Sequence, residues 1–130
     1  MPKSKTTYVD GFVLVIAKNK MAEYRKMARL GLKTWMKHGA LSYKECVLDD
    51  PGTGDMSLPF PTLTKAGKNE TVWFSYIEFK SKKHRDQVNA KVMKDPAMQP
   101  PSDKKGKKKD VMPFDMKRMA YGGFKVEVGE

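Results

Sequence analysis

Residues 8–16 (YVDGFVLVI) are apolar on both faces of an extended chain: Val9, Val13 and Val15 alternate with Phe12, Leu14 and Ile16. Only Asp10 breaks the run. A strand of this kind is unstable at a sheet edge, so it is expected to be central and covered on both sides. Residues 71–79 (TVWFSYIEF) hold seven β-branched or aromatic residues in nine and read as a second strand. Two weaker candidates, residues 40–48 and 117–128, complete a set of four. In the former, Leu41, Tyr43, Glu45 and Val47 share a face. In the latter, Met119 and Tyr121 point one way and Ala120 and Phe124 the other, while Gly122-Gly123 predicts a bulge or a close backbone approach.

Two helices separate these strands. Over residues 20–38, Met21, Tyr24, Ala28, Leu32 and Trp35 recur at three- and four-residue steps and predict one buried stripe. Asn19 is the expected N-cap and Gly39 the stop. Beside the stripe runs a charged ridge of Arg25, Arg29, Lys33 and Lys37, whose like-charge pairs cost about 0.2–0.5 kcal/mol each. It reads as a solvated face. The second helix is expected over residues 82–94, capped by Ser81, with Val88 and Val92 inward and Pro96 ending it. Residues 49–69 are rich in Pro and Gly and predict a long loop; Gly52-Thr53-Gly54 lacks the Gly-Lys-Ser/Thr of a phosphate loop.

With 130 residues, a single domain is expected, with a basic tail at 1–7 and an irregular Lys/Pro-rich insert at 97–111. The order β-α-β-β-α-β predicts a ferredoxin-like α+β fold: a four-stranded antiparallel sheet with both helices on one face. The opposite face would then be bare and too apolar for water, which predicts a homodimer formed through the sheet faces.

Charge and composition narrow the function classes. The chain carries 26 Lys+Arg against 15 Asp+Glu, a net +11, but residues 103–109 supply five lysines and one aspartate, and without them the balance is +7. The excess therefore lies largely in segments without defined geometry, and nucleic acid is not the expected partner. One cysteine, Cys46, allows neither an internal disulfide nor a Cys-based zinc site, and in a strand it is expected to be a small buried group. Two histidines far apart, with no metal-binding motif, predict no metal and no cofactor. No run approaches the ~20 apolar residues of a membrane span, and no secretory leader is visible, so a cytoplasmic protein is expected.

Several segments together carry a resemblance: Tyr8-Val9-Asp10-Gly11-Phe12, Glu45-Cys46, Val72 through Glu78, His84-Arg85-Asp86, and above all Met112-Pro113-Phe114-Asp115 through Tyr121-Gly122-Gly123-Phe124. The chain resembles the YbaA-like family of small bacterial proteins, a domain of unknown function in the dimeric α/β-barrel superfamily. The resemblance implies a ferredoxin-like fold and a dimer. It supplies no substrate, and the monooxygenases and haem enzymes of the wider superfamily offer only fold-level analogy.

Candidate site residues are the polar groups inside apolar strands and the aromatics beside them. A small-molecule pocket between sheet and helices is expected, lined by Trp73, Tyr76 and Tyr121 with Asp10, His84, Asp115 and Arg118. Asp10 is expected to meet Ser75 or Arg118, the plain structural reading being a buried carboxylate with its guanidinium. Glu45 is expected to pair with Lys117 or Arg118. His84, opening a helix, is a candidate general base or a neutral structural histidine. Phe114 is expected to anchor a turn that presents Asp115 toward Lys117 or Arg118. The functional expectation is a small-molecule-binding protein or cofactor-independent enzyme. The alternative is a non-catalytic regulatory dimer binding a polyanion through Arg25, Arg29, Lys33, Lys37 and the lysines of 104–109.

Overall fold

The doubly apolar segment forms β1 (Tyr8–Ala17) at the centre of the sheet in a computed structural model that describes residues 5–98 and 113–129. Residues 1–4, 99–112 and 130, and with them the start of the basic tail and residues 99–111 of the Lys/Pro-rich insert, lie outside the described residues. Around β1 are α1 (Met21–Lys37), β2 (Ser42–Val47), α2 (Phe60–Thr64), β3 (Glu70–Phe79), α3 (Lys82–Lys94) and β4 (Ala120–Lys125). The strands lie in the order β2-β3-β1-β4, with every neighbouring pair antiparallel, giving an open four-stranded sheet and an α+β fold.

The register decides which side chains the helices cover. Asp10 lies opposite Ile77, Phe12 opposite Ser75 and Leu14 opposite Trp73, while Glu45 of β2 lies opposite Ser75 from the other side. On this face α1 packs Tyr24 and Ala28 against Leu14, Ile16 and Trp73. The second helix, α3, packs Val88 and Val92 against Ala40, Ile77 and Phe79. Each fully buried side chain of this size contributes ~1.5–3 kcal/mol. Trp35 Nε1 donates to Asn89 Oδ1 at 3.0 Å and ties the two helices together.

The opposite face is built from Val9, Val13, Val15, Val72, Phe74, Tyr76 and Phe124. At one end α2 lies against β3, and Val15 and Val72 are buried there. Elsewhere the face is open, with Phe74 46% and Phe124 61% exposed.

Several local expectations are corrected. Asn19 caps nothing: a 3-10 turn (Lys18–Lys20) leads into α1, whose first turn has no side-chain cap. The buried stripe uses Gly31 and Thr34 where Leu32 was expected, because Leu32 is exposed. Residues 49–69 contain the short helix α2, started by Pro59 and Pro61 and ended by Lys65 in the left-handed region. The last strand starts at Ala120, not Lys117, because residues Met116–Arg118 form a 3-10 turn capped by Asp115 Oδ1. Gly122 and Gly123 pair in unbroken register with Gly11 and Asp10, so there is no bulge. The close approach is real: a Cβ on Gly123 would lie 2.5 Å from Tyr8 Oη. Cys46 is exposed, because it points away from the helices. Ser81 caps α3 as expected, accepting from the His84 N–H at 3.0 Å, and Gly39 ends α1 with φ +112°.

Candidate functional site

Between α1 and the helix-covered side of the sheet lies a cavity of ≈ 160 Å³. Its walls are Phe12, Leu14 and Ile77 from the sheet, Tyr24, Met27, Ala28 and Trp35 from α1, and Met98, Phe114 and Met119 from the segments flanking the insert. Three polar residues converge on this apolar space: Tyr43 and Glu45 from β2 and Ser75 from β3. Alternation along β2 brings Tyr43 and Glu45 to the same side, and the β2–β3 register puts Ser75 beside Glu45.

Glu45 is held from two directions. Tyr24 Oη, from α1, donates to Oε1 at 2.7 Å, and Tyr43 Oη donates to Oε2 at 2.8 Å. The Ser75 hydroxyl adds a further hydrogen bond. Burial pushes the Glu45 carboxyl above the usual carboxylate range, against the pull of these three hydroxyls. Burial and the neighbouring carboxylate raise both tyrosine hydroxyls, so they remain neutral donors. Among the described residues no Lys, Arg or His pairs with Glu45. Gly31 makes the arrangement possible: a side chain there would collide with the Tyr43 hydroxyl. A glycine inside a helix costs about 1 kcal/mol relative to alanine, and here it lets β2 and α1 approach.

A second polar cluster sits at the β1–β4–α3 junction. Asp10 is 1% exposed. Arg85 Nη1 donates to Asp10 Oδ1 at 2.7 Å and lies 2.8 Å from Tyr121 Oη, and its Nε donates to Asp86 Oδ1 at 2.7 Å. The guanidinium stacks over the Tyr8 ring, 5.1 Å from its centroid. Burial raises the Asp10 carboxyl, and Arg85, Tyr121 and Asn89 oppose the shift. The expected partners of Asp10, Ser75 and Arg118, are replaced by Arg85, because the first turn of α3 projects onto β1.

The remaining predicted residues scatter. Arg118 closes a separate clamp: Nη1 and Nη2 donate to the two Glu70 oxygens at 2.9 and 2.8 Å, and Nε donates to Asp115 Oδ2 at 2.8 Å. Asp115 is thus presented to Arg118 as expected, and Phe114 packs edge-on against Tyr24 with centroids 5.9 Å apart. Arg118 is thereby taken up by Glu70 and Asp115, and Glu45 bonds to Tyr24, Tyr43 and Ser75 in place of its expected partners Lys117 and Arg118. His84 Nδ1 accepts from the Lys80 N–H at 2.9 Å, and burial, Lys80 and Lys91 lower its pKa despite a hydrogen bond to Gly39. Both ring nitrogens are therefore occupied structurally. Trp73 is buried against Tyr24, centroids 4.9 Å apart, and does not line the cavity. Tyr76 lies on the opposite sheet face beside Phe74. Tyr121 stacks on Phe12 at 4.9 Å and marks the Asp10 cluster. The ridge of Arg25, Arg29, Lys33 and Lys37 is exposed along α1.

Glu45 and Arg85 are the residues whose roles sequence reasoning missed. An acid flanked by Tyr43 in a strand, together with a glycine inside α1, was the available signal for the first. For Arg85 there was none beyond its place one turn into a helix. Among the described residues no group of His, Cys, Asp and Glu could hold a metal ion, and no helix is long and apolar enough to cross a membrane.

Residues 7–116 match the family described as "Protein of unknown function (DUF1428)". The chain is 41% identical over 123 residues to "Uncharacterized protein YbaA" of Escherichia coli (strain K12), an alignment covering 95% of this chain and 98% of that protein. The protein of the same name from Shigella flexneri matches to the same extent. A match over most of the chain, with near-complete coverage of the relatives, shows that the chain belongs to the DUF1428 family of YbaA-like proteins.

Proposed function

We propose that this protein is a small-molecule-binding homodimer on a ferredoxin-like frame, with the cavity between α1 and the sheet as its ligand site. The observation that carries this reading is the cavity: ≈ 160 Å³, apolar walls, and one carboxyl held at its margin by two tyrosine hydroxyls. Pockets that bind small molecules combine a mainly apolar wall with a few placed polar groups. An apolar protein cavity of about 150 Å³ takes a benzene-sized guest. Any catalysis here would be cofactor-independent and would rest on Glu45, whose raised pKa suits it to exchange a proton nearer neutrality. The dimer is supported by the open sheet face, where Phe74 and Phe124 stand exposed beside Val9, Val13 and Tyr76. A second copy offers the same patch and covers it by two-fold symmetry.

Titration of the isotope-labelled protein with benzene-sized probes, followed by two-dimensional NMR, tests the site. Shifts confined to the amides around Tyr24, Tyr43 and Ser75 are expected. A full probe set that moves none of them removes the reading. Sedimentation at micromolar concentration tests the dimer: Phe74→Lys should convert a dimer to a monomer, and a monomeric native protein removes the proposal.

A further inference from the structure

We infer that the cavity takes a small organic ammonium ion, with Glu45 as its counter-ion and the surrounding aromatic rings as its cage. The inference rests on the reading of the cavity as a ligand site and adds the charge of the ligand. Four other carboxylates each have a cationic partner within 3.1 Å: Asp10 has Arg85, Glu70 and Asp115 have Arg118, and Asp95 has Lys37 and His38. Among the described residues Glu45 has only hydroxyls as partners, although it lies between helix and sheet in an apolar setting. A half-buried carboxylate that meets only hydroxyls carries an uncompensated desolvation cost, and a cationic guest would offset it.

The walls fit that charge. Phe12, Tyr24, Trp35, Tyr43 and Phe114 all line the cavity, and ring faces attract ammonium ions most strongly once water is excluded. Tyr24 and Tyr43 direct their hydroxyls at the carboxylate, and their rings, packed against Trp73, Phe114 and Trp35, form part of the cavity wall. A carboxylate offers about four acceptor sites, and Tyr24, Tyr43 and Ser75 use three. One remains for an ammonium N–H. The volume suits a guest of six or seven heavy atoms. Met27, one of the residues that line the cavity, is 37% exposed on the α1 side.

Among the described residues the groups that face Glu45 are Tyr24 from α1, Tyr43 on its own strand and Ser75 from β3, and none of them ionises between pH 5 and 9. A cation that pairs with Glu45 requires the ionised carboxylate, so its binding releases the Glu45 proton and strengthens as pH rises through that group's pKa. A neutral guest shows no such dependence.

The test uses cyclohexylammonium and cyclohexanol, which share a shape and differ in charge, titrated calorimetrically into the full-length protein and its Glu45→Gln variant. At pH 8 the ammonium should bind the native protein at least tenfold more tightly than the alcohol. Its affinity should fall as pH is lowered, and Glu45→Gln should erase the preference. Equal affinities, a preference that survives Glu45→Gln, or a pH-independent native preference would overturn the inference while leaving the cavity as a site for neutral molecules. Binding of neither probe at millimolar concentration overturns the inference and removes the cavity reading with it. The pH series on the native protein decides the matter even if Glu45→Gln does not fold.

Discussion

Asp10 and Glu45 are two acids on one face of one sheet, both covered by helices and both with carboxyls raised by burial. Asp10 meets a guanidinium at 2.7 Å, stacked on Tyr8 and adjoining Tyr121, in a site filled by side chains. Glu45 meets two phenols and borders an open space. The difference separates an acid that closes the structure from one that the structure leaves available. Internal charge balance at Asp10 makes it part of the scaffold, whereas Glu45 has no cationic partner among the described residues, which is why the proposed ligand is placed there.

The strongest way to break this contrast is to remove the guanidinium. Arg85→Met leaves Asp10 buried without its cation and should cost about 3–5 kcal/mol in urea unfolding. A loss below about 1 kcal/mol would mean that Asp10 is held by Tyr121 and Asn89 alone, an acid satisfied by neutral donors as Glu45 is. Gly31→Ala probes the other side. The new methyl collides with the Tyr43 hydroxyl, an overpacking cost of roughly 1–3 kcal/mol against a helix-propensity gain of about 1 kcal/mol. A net loss is expected, together with weaker binding at the cavity.

Glu45→Gln sharpens the comparison through pH. The folded-state pKa of Glu45 is raised, so its proton stabilises the fold, and that contribution fades as pH climbs from the unfolded value through the folded one. The native protein should therefore lose stability relative to Glu45→Gln as pH rises above about 4.5, by no more than about 1.4 kcal/mol per pH unit, and then level off. Urea midpoints at four pH values would show it, and a flat difference would place Glu45 in a solvated setting. The smallest effect belongs to the half-buried clamp of Arg118, Glu70 and Asp115. Arg118 and the Gly67 N–H hold the Glu70 carboxyl at about 2, so its contribution is present above the unfolded value and is lost as pH falls toward 2. Arg118→Met should therefore lower stability slightly at pH 7, change it little near pH 2, and so flatten the acid limb of the unfolding curve.

The sequence by itself determined the four strands and the two long helices and their order, though not the short α2, because those elements depend on local periodicity and on side chains that must be covered. The doubly apolar run at Tyr8 could only be a central strand, Ser81 could only cap the helix after it, and Val88 and Val92 could only face inward. It also determined the polar candidates, since Asp10 and Glu45 stand out wherever an apolar strand is written down. Their partners were decided in three dimensions. Whether Asp10 meets Arg85 or Arg118 depends on the path of a helix over a sheet, and whether the chain enters β4 at Lys117 or turns three residues longer decides which acid Arg118 can reach. No pattern in one dimension contains those approach angles. The cavity is of the same kind, for it is the volume left over when Gly31 lets Tyr43 under α1 and the side chains around Glu45 fail to fill the gap. Empty space is a property of packing, and packing exists only once the elements have met.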